Sequence, residues 1–315
     1  MGEVVGGRYE LLDLIGEGGT GSVWVARDRE EDRLVAAKVL RQSDASSLMR
    51  FVREQSMRVE HPNVLAPTGW VGSDANVVLI MPLVRGGSLA DLVGDFGGLP
   101  PLLVAEVLRQ VVAALDSVHQ AGIIHRDVKP ANVLLQATGQ ERPHAYLSDF
   151  SISVDTRGPR MTHVGTVVGT LTYMAPERQA GAVGDASSDM YAVGQLAKEL
   201  LTGLPPSSPH APELPLTTPL ALVRLLEALT SRDSARRPTA AETLGVLGGD
   251  ELAWDQRAMG EVEVLEHVGA APSVPPTPTQ VQVAENRGRP VPLWAGSLAA
   301  ALLLASLALL VLALS

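Results

Sequence analysis

His125-Arg126-Asp127-Val128-Lys129-Pro130-Ala131-Asn132 sets an acid, a lysine and an amide within six residues and runs directly into the apolar Val133-Leu134-Leu135. That spacing suits phosphoryl transfer. Asp127 can accept or orient a substrate hydroxyl proton, Lys129 can neutralise charge on the moving phosphate, and Asn132 can hold a divalent cation from the same loop. Three polar residues in a loop are more often solvated than catalytic, so the stretch needs support from its surroundings. Downstream, Asp149-Phe150 follows 17 residues after Asn132, and Ala175-Pro176-Glu177 comes next. Upstream, Val104, Leu108, Val111, Leu115 and Val118 recur at spacings of three and four, which predicts an amphipathic helix over 101–121 leading into the loop.

Nearer the N-terminus, Arg8-Tyr9-Glu10-Leu11-Leu12, then Ile15 to Val23, then Val35-Ala36-Ala37-Lys38-Val39-Leu40 alternate apolar positions around a glycine-rich turn. This reads as a hairpin followed by a third strand. Gly16, Gly18 and Gly21 fit G-x-G-x-x-G, which alone equally suggests a dinucleotide-binding turn. A dinucleotide fingerprint opens a helix, whereas Val23-Trp24-Val25-Ala26 continues as a strand and Lys38 follows on the next one. That context argues against a dinucleotide-binding turn. Residues 77–92 give a further apolar strand, Val77 to Val84, entering the turn Arg85-Gly86-Gly87-Ser88.

Taken in order over residues 8–248, these motifs resemble the protein kinases, specifically the bacterial Hanks-type Ser/Thr kinases that are similar to the eukaryotic ones. The resemblance implies an α+β, two-lobed fold: a small antiparallel β lobe with one helix (about 8–84) and a larger helical lobe (about 85–250). It implies an ATP site made by Gly16, Glu17, Gly18, Gly21, Val23, Ala36, Lys38, the gatekeeper Met81, the hinge residues Leu83 and Val84, and Leu134. Pro82 in that hinge lacks an N–H, which is harmless where only its carbonyl is used. Lys38, 22 positions after Gly16, would grip the α and β phosphates, and Glu54 is the best match for its partner, on a helix within 45–60. Mg2+, with Mn2+ as a substitute, would sit on Asn132 and Asp149. Asp127, Lys129, Lys38 and Asn132 would be the catalytic set.

The regulatory residues implied are Glu54, Arg126 as a receiver for a phosphorylated loop residue, Thr162 and Thr166 as the modified residues, and Thr170 contacting Asp127 and Lys129. Ser151 stands where the family has Gly after Asp149-Phe150, which removes conformational freedom there. By the same resemblance His125 packs against Phe150, Glu177 pairs with Arg237, and Asp189 ties a buried helix to the catalytic loop. His119 is assigned no role.

Composition limits the alternatives. A charge of −10, a pI near 5.2 and only 25 Lys and Arg in 315 residues argue against a nucleic-acid partner. Without cysteine there is no disulfide framework, thiolate metal site or cysteine nucleophile. The first residues, Met1 to Gly6, lack a basic-then-apolar pattern, so no signal peptide is expected, and Gly6 removes the myristoylation match. Residues 251–292 read as a flexible juxtamembrane linker, with six prolines in 270–292. The 22 uncharged residues from Leu293 to Leu314 would span about 33 Å as a helix, enough for a bilayer core of about 30 Å. Trp294, at its start, and Arg287 and Arg289, just upstream, sit where interfacial residues would.

The expectation is a single-pass cell-membrane kinase with a cytoplasmic catalytic domain, protein substrates and a homodimer for trans-autophosphorylation. Two rivals remain: a membrane-anchored pseudokinase acting as a nucleotide-binding scaffold, and a small-molecule phosphotransferase. The latter needs neither Ala175-Pro176-Glu177 nor a threonine-rich loop.

Overall fold

Strand register decides which side of the small lobe can face a ligand. In the computed structural model, six strands form one antiparallel sheet in the order β1-β2-β3-β4-β6-β5. They are β1 (Val4–Val5), β2 (Tyr9–Gly18), β3 (Gly21–Asp28), β4 (Arg33–Leu40), β5 (Gly69–Gly72) and β6 (Val77–Pro82). Directly opposed residues share a face and alternate residues return to it. Lys38 opposes Val23 and Leu79, while Ala36 opposes Val25 and Met81, so Val23, Ala36, Lys38 and Met81 lie on one face. The other face holds Ala26, Val35, Ala37, Val78 and Ile80, which pack with Tyr9 and Leu11 as a separate small core. The sheet thus spends one side on its own stability and keeps the other for the cleft.

The structure describes residues 2–18, 21–40, 59–72, 77–149, 171–208 and 213–268. Glu54, Phe150, Ser151, Thr162, Thr166, Thr170 and the stretch Leu293 to Leu314 lie outside them. Among the described residues no helix is long and apolar enough to cross a membrane.

The helices of the large lobe begin at local capping signals. In α1 (Leu89–Phe96), Ser88 and Asp91 form a reciprocal capping box, and α2 (Pro101–Gln120) starts with proline at its first turn. A four-residue helix, α3 (Pro176–Gln179), precedes α4 (Ala186–Thr202), which is capped by Asp185 and Ser188 and stopped by Gly203 in the left-handed region. Helices α5 (Leu220–Leu229) and α6 (Ala240–Leu247) follow, the latter capped by Thr239 and Glu242. All five apolar positions expected on the 101–121 helix are fully buried in one core with Leu196, Leu200, Leu226 and Leu229. A two-stranded hairpin, β7 (Val133–Leu135) with β8 (Ala145–Leu147), lies against α2 and fixes what flanks it: Asn132 just before β7 and Asp149 just after β8.

The expected linker at 251–292 is corrected in its first part. Asp250–Leu252 and Gln256–Met259 form short 3-10 turns, and Leu252, Met259, Val262 and Val264 are buried in the large-lobe core. The physical reason is a short alternating stretch, Glu261-Val262-Glu263-Val264, which has one apolar face, whereas the prolines begin only at Pro272.

Candidate active site

Asp189, at the start of α4 and 1% exposed, organises the loop quoted at the outset. Its Oδ2 accepts from the His125 N–H at 2.8 Å and its Oδ1 from the Arg126 N–H at 2.7 Å. His119 Nε2 lies 2.8 Å from the same Oδ2. These bonds hold Arg126 at a φ of +69°, a region that non-glycine residues avoid at a cost of about 1–3 kcal/mol. Asp149, at φ +57°, is the second such residue in the site. His125 is buried, and burial lowers its pKa. It works as neutral imidazole: Nδ1 accepts from the Asp127 N–H at 3.3 Å, so the proton sits on Nε2, 2.9 Å from the Ser148 carbonyl oxygen. One ring thereby joins the catalytic loop to the strand end that carries Asp149.

The polar side chains converge on Asp127. Lys129 Nζ lies 2.8 Å from Asp127 Oδ2, and Asn132 Nδ2 donates to that oxygen at 2.8 Å and to the Asp127 carbonyl at 2.7 Å. With its amide nitrogen spent on Asp127, Asn132 presents its oxygen as the remaining polar atom. That oxygen and the half-exposed Asp149 carboxylate make an all-oxygen donor set, which suits a hard divalent cation that keeps waters and phosphate oxygens as further ligands. Across the cleft, Lys38 Nζ reaches Asp149 Oδ1 at 2.5 Å. Glu54, the expected partner of Lys38, is outside the described residues, and the contact observed is with Asp149.

The glycine cover has two kinds of glycine. At Gly21 a Cβ would lie 2.0 Å from the Val39 carbonyl oxygen, so the hairpin itself requires glycine. At Gly18 a Cβ would meet nothing within 4 Å, and at Gly16 only Val23 Cβ at 3.9 Å. Those two are not required by the fold, and they leave open space for close approach by a ligand.

The expected pair of Glu177 with Arg237 is present. Arg237, whose side chain is fully buried, binds both oxygens of Glu177 at 2.6 and 2.8 Å, and this holds the Glu177 carboxyl below the usual carboxylate range. Arg178 Nη1 donates to the Arg126 carbonyl at 2.8 Å, linking α3 to the catalytic loop. Met81 and Val84 are buried, and Leu134 is half-buried in β7.

Sequence reasoning missed three features. His119 completes the Asp189 cluster. Tyr173 donates to Glu199 of α4; burial first and then this carboxylate raise the tyrosine, and burial raises Glu199. Glu106 is buried on α2, where desolvation alone would raise its pKa, yet Arg142, Arg109 and Gln110 hold it below the usual range. Gln110 in turn meets Asn63 at 3.0 Å, tying the small-lobe loop to α2. The spacings carried a signal only for Glu106 and Arg109, an i,i+3 pair.

A lysine on the small-lobe sheet meeting an acid beyond the large-lobe hairpin, beneath a glycine cover, is the plan of a protein kinase. Residues 9–245 match the family described as protein kinase domain, and the chain belongs to that family, which implies ATP with a divalent metal ion. It is 34% identical to the serine/threonine-protein kinase PkaA of Streptomyces coelicolor, an alignment covering 88% of this chain and 56% of that protein. It is 39% identical to PknB of Mycobacterium leprae (63% and 33%) and 34% identical to PrkC of Bacillus subtilis (64% and 32%). The chain therefore spans about half the length of the first and about a third of the others. A crystal structure of Rad53 1-466 in complex with AMP-PNP superposes with a TM-score of 0.62 at 24% identity, covering 75% of this chain and 64% of that one, and supports the fold.

Proposed function

We propose that this protein is a Ser/Thr protein kinase that transfers the γ-phosphoryl group of ATP to Ser and Thr hydroxyls of proteins, its own loop included. The observation that carries this is the convergence of Lys129 and Asn132 on one oxygen of Asp127, with Lys38 and Asp149 joined across the cleft. Because both loop contacts fall on Oδ2, Oδ1 of Asp127 is the acceptor for an incoming hydroxyl. The hydroxyl oxygen bonds to the γ phosphorus as the bond to the β,γ-bridging oxygen breaks, its proton passes to Asp127, and ADP leaves. Lys129 compensates charge on the transferred group, and Lys38 moves from Asp149 to the α and β phosphates. Asn132 Oδ1 and the Asp149 carboxylate would hold Mg2+ (or Mn2+), which when bound neutralises phosphate charge. Gly16, Glu17, Gly18 and Gly21 would cover the nucleotide, and Val23, Ala36, Met81, Leu83, Val84 and Leu134 would enclose its base.

The regulatory reading joins described residues to Glu54, Thr162, Thr166 and Thr170, which lie outside the described regions. Arg126 would bind phosphorylated Thr162 or Thr166, Thr170 would join Asp127 and Lys129, and Glu54 would replace Asp149 as the partner of Lys38 in the active state. The uncharged stretch from Leu293 to Leu314 supports a single-pass anchor with the kinase domain cytoplasmic, where homodimers would phosphorylate one another.

Incubating the protein with Mg2+ and labelled ATP tests the reading. Label is expected on phosphoserine and phosphothreonine, and to vanish in Lys38→Met and Asp127→Asn; nucleotide binding with no label in the parent would identify a pseudokinase. Membrane fractionation with and without residues 293–315 tests the anchor, which fails if both forms stay soluble.

A further inference from the structure

We propose that residues 260–268 form a strap that positions the nucleotide hinge, so that ATP affinity depends on a segment beyond the catalytic motifs; this rests on the kinase reading above. After Gly260 the chain runs to the side of the large lobe that carries the hinge. Val264 pairs antiparallel with Gly139, the Gly139 N–H donating to its carbonyl at 3.0 Å and the Val264 N–H returning the bond at 2.9 Å. Further on, the N–H groups of His267 and Val268 both donate to the Arg85 carbonyl, at 2.7 and 3.2 Å. Side chains repeat the attachment: Arg85 to Glu266 at 2.5 Å, Gln140 to Glu263 at 2.7 Å, and His267 to Asp95 at 3.5 Å. Val264 is 1% exposed while its neighbour Leu265 is 56% exposed, as in a strand with one buried face.

Arg85 directly follows Val84, and the turn it opens is held from both sides. On one side the Gly86 N–H donates to the Leu135 carbonyl and the Leu135 N–H to the Gly87 carbonyl, both at 2.8 Å, with Ser88 bridged to Leu134. On the other side lies the strap. The gap between them admits no side chain. A Cβ at Gly86 would sit 2.6 Å from the Leu135 carbonyl oxygen and 2.8 Å from Val264 Cγ1. A Cβ at Gly87, where φ is +73°, would sit 3.1 Å from the His267 ring. The strap therefore backs the turn that follows Val84 on the side away from Leu134 and Leu135, so the turn between the proposed hinge and floor residues is clamped from both sides. A tail that only covered apolar surface would have no need to place two N–H groups on the first carbonyl after the hinge.

The test compares the full chain with Val264→Asp, which inserts a charge into the buried face and releases the strap. Dissociation constant and KM for Mg·ATP, kcat, and hydrogen exchange at residues 84–88 and 261–268 are measured on each. Losing the strap's hydrogen bonds is expected to raise both Kd and KM for ATP about tenfold and to leave kcat within about twofold, with residues 86–88 exchanging faster. A fully exchanging strap with unchanged Kd and KM would overturn the proposal, as would a kcat that falls with no change in KM. If Val264→Asp does not fold, Arg85→Glu alone and with Glu266→Arg decides. A raised KM restored by the second change supports the strap, and a KM unmoved by either overturns it. A parent protein that binds no Mg·ATP defeats the kinase reading itself, which is visible before any variant is made.

Discussion

Replacing Asp189 by Asn probes how the catalytic loop is held. The carboxylate accepts from the His125 N–H on one oxygen and the Arg126 N–H on the other, and it is almost fully buried. Asn has nearly the same shape but one acceptor, so its NH2 must face a backbone donor. Hydrogen bonds to charged groups contribute about 1.5–3 kcal/mol, and a buried donor left unpaired costs about 1–3 kcal/mol. Both measures put the expected loss of stability at about 2–3 kcal/mol. Arg126 at φ +69° adds a second consequence: with its N–H released, the loop relaxes from a strained conformation and Asp127 moves with it. Because small misplacements of a reacting group cost on the order of a hundredfold in rate, kcat is expected to fall by about that factor even well below the new melting temperature. Denaturant unfolding and steady-state transfer assays on the same preparation check both numbers. An Asp189→Asn protein with unchanged stability and unchanged kcat would refute the reasoning.

The glycines should separate by role: Gly21→Ala lowers the melting temperature because its Cβ meets the Val39 carbonyl oxygen, whereas Gly18→Ala keeps it and raises KM for ATP several-fold, as thermal unfolding and kinetics would show. Arg237→Ala leaves the partly exposed Glu177 without its buried partner and is expected to cost about 1.5–3 kcal/mol in denaturant unfolding. In the parent, Glu177 has its folded-state pKa depressed by Arg237, so this stability is present above the unfolded carboxylate pKa of about 4.3 and is lost as pH falls through the lower folded value. In Arg237→Ala that part of the acid dependence should disappear, and an unchanged slope would count against the assignment.

Much of the site was legible because its groups sit close in sequence or in regular strand phase. Asp127, Lys129 and Asn132 share a loop short enough for direct contact, and two-residue alternation alone put Ala36 and Lys38 on one face. Glu177 with Arg237 and Asp189 with the catalytic loop came from family resemblance, and the geometry supports both. His119 was not legible, since a single histidine on a helix has no distinguishing pattern and its partner Asp189 is 70 residues away. In sequence the strap is indistinguishable from linker, because four residues of alternation between Glu and Val are too short to stand out. Lys38 on Asp149 was not among the expected pairs, because the resemblance assigns Lys38 to Glu54 and the phosphates.

The most direct test of the account is a single-turnover measurement of γ-phosphoryl transfer from Mg·ATP in the parent and in Asp127→Asn, with nucleotide affinity measured on the same samples. Loss of the proton acceptor predicts a transfer rate lower by about a hundredfold to ten-thousandfold with ATP affinity little changed. Transfer at the parent rate in Asp127→Asn, or nucleotide binding without transfer in the parent, would contradict it.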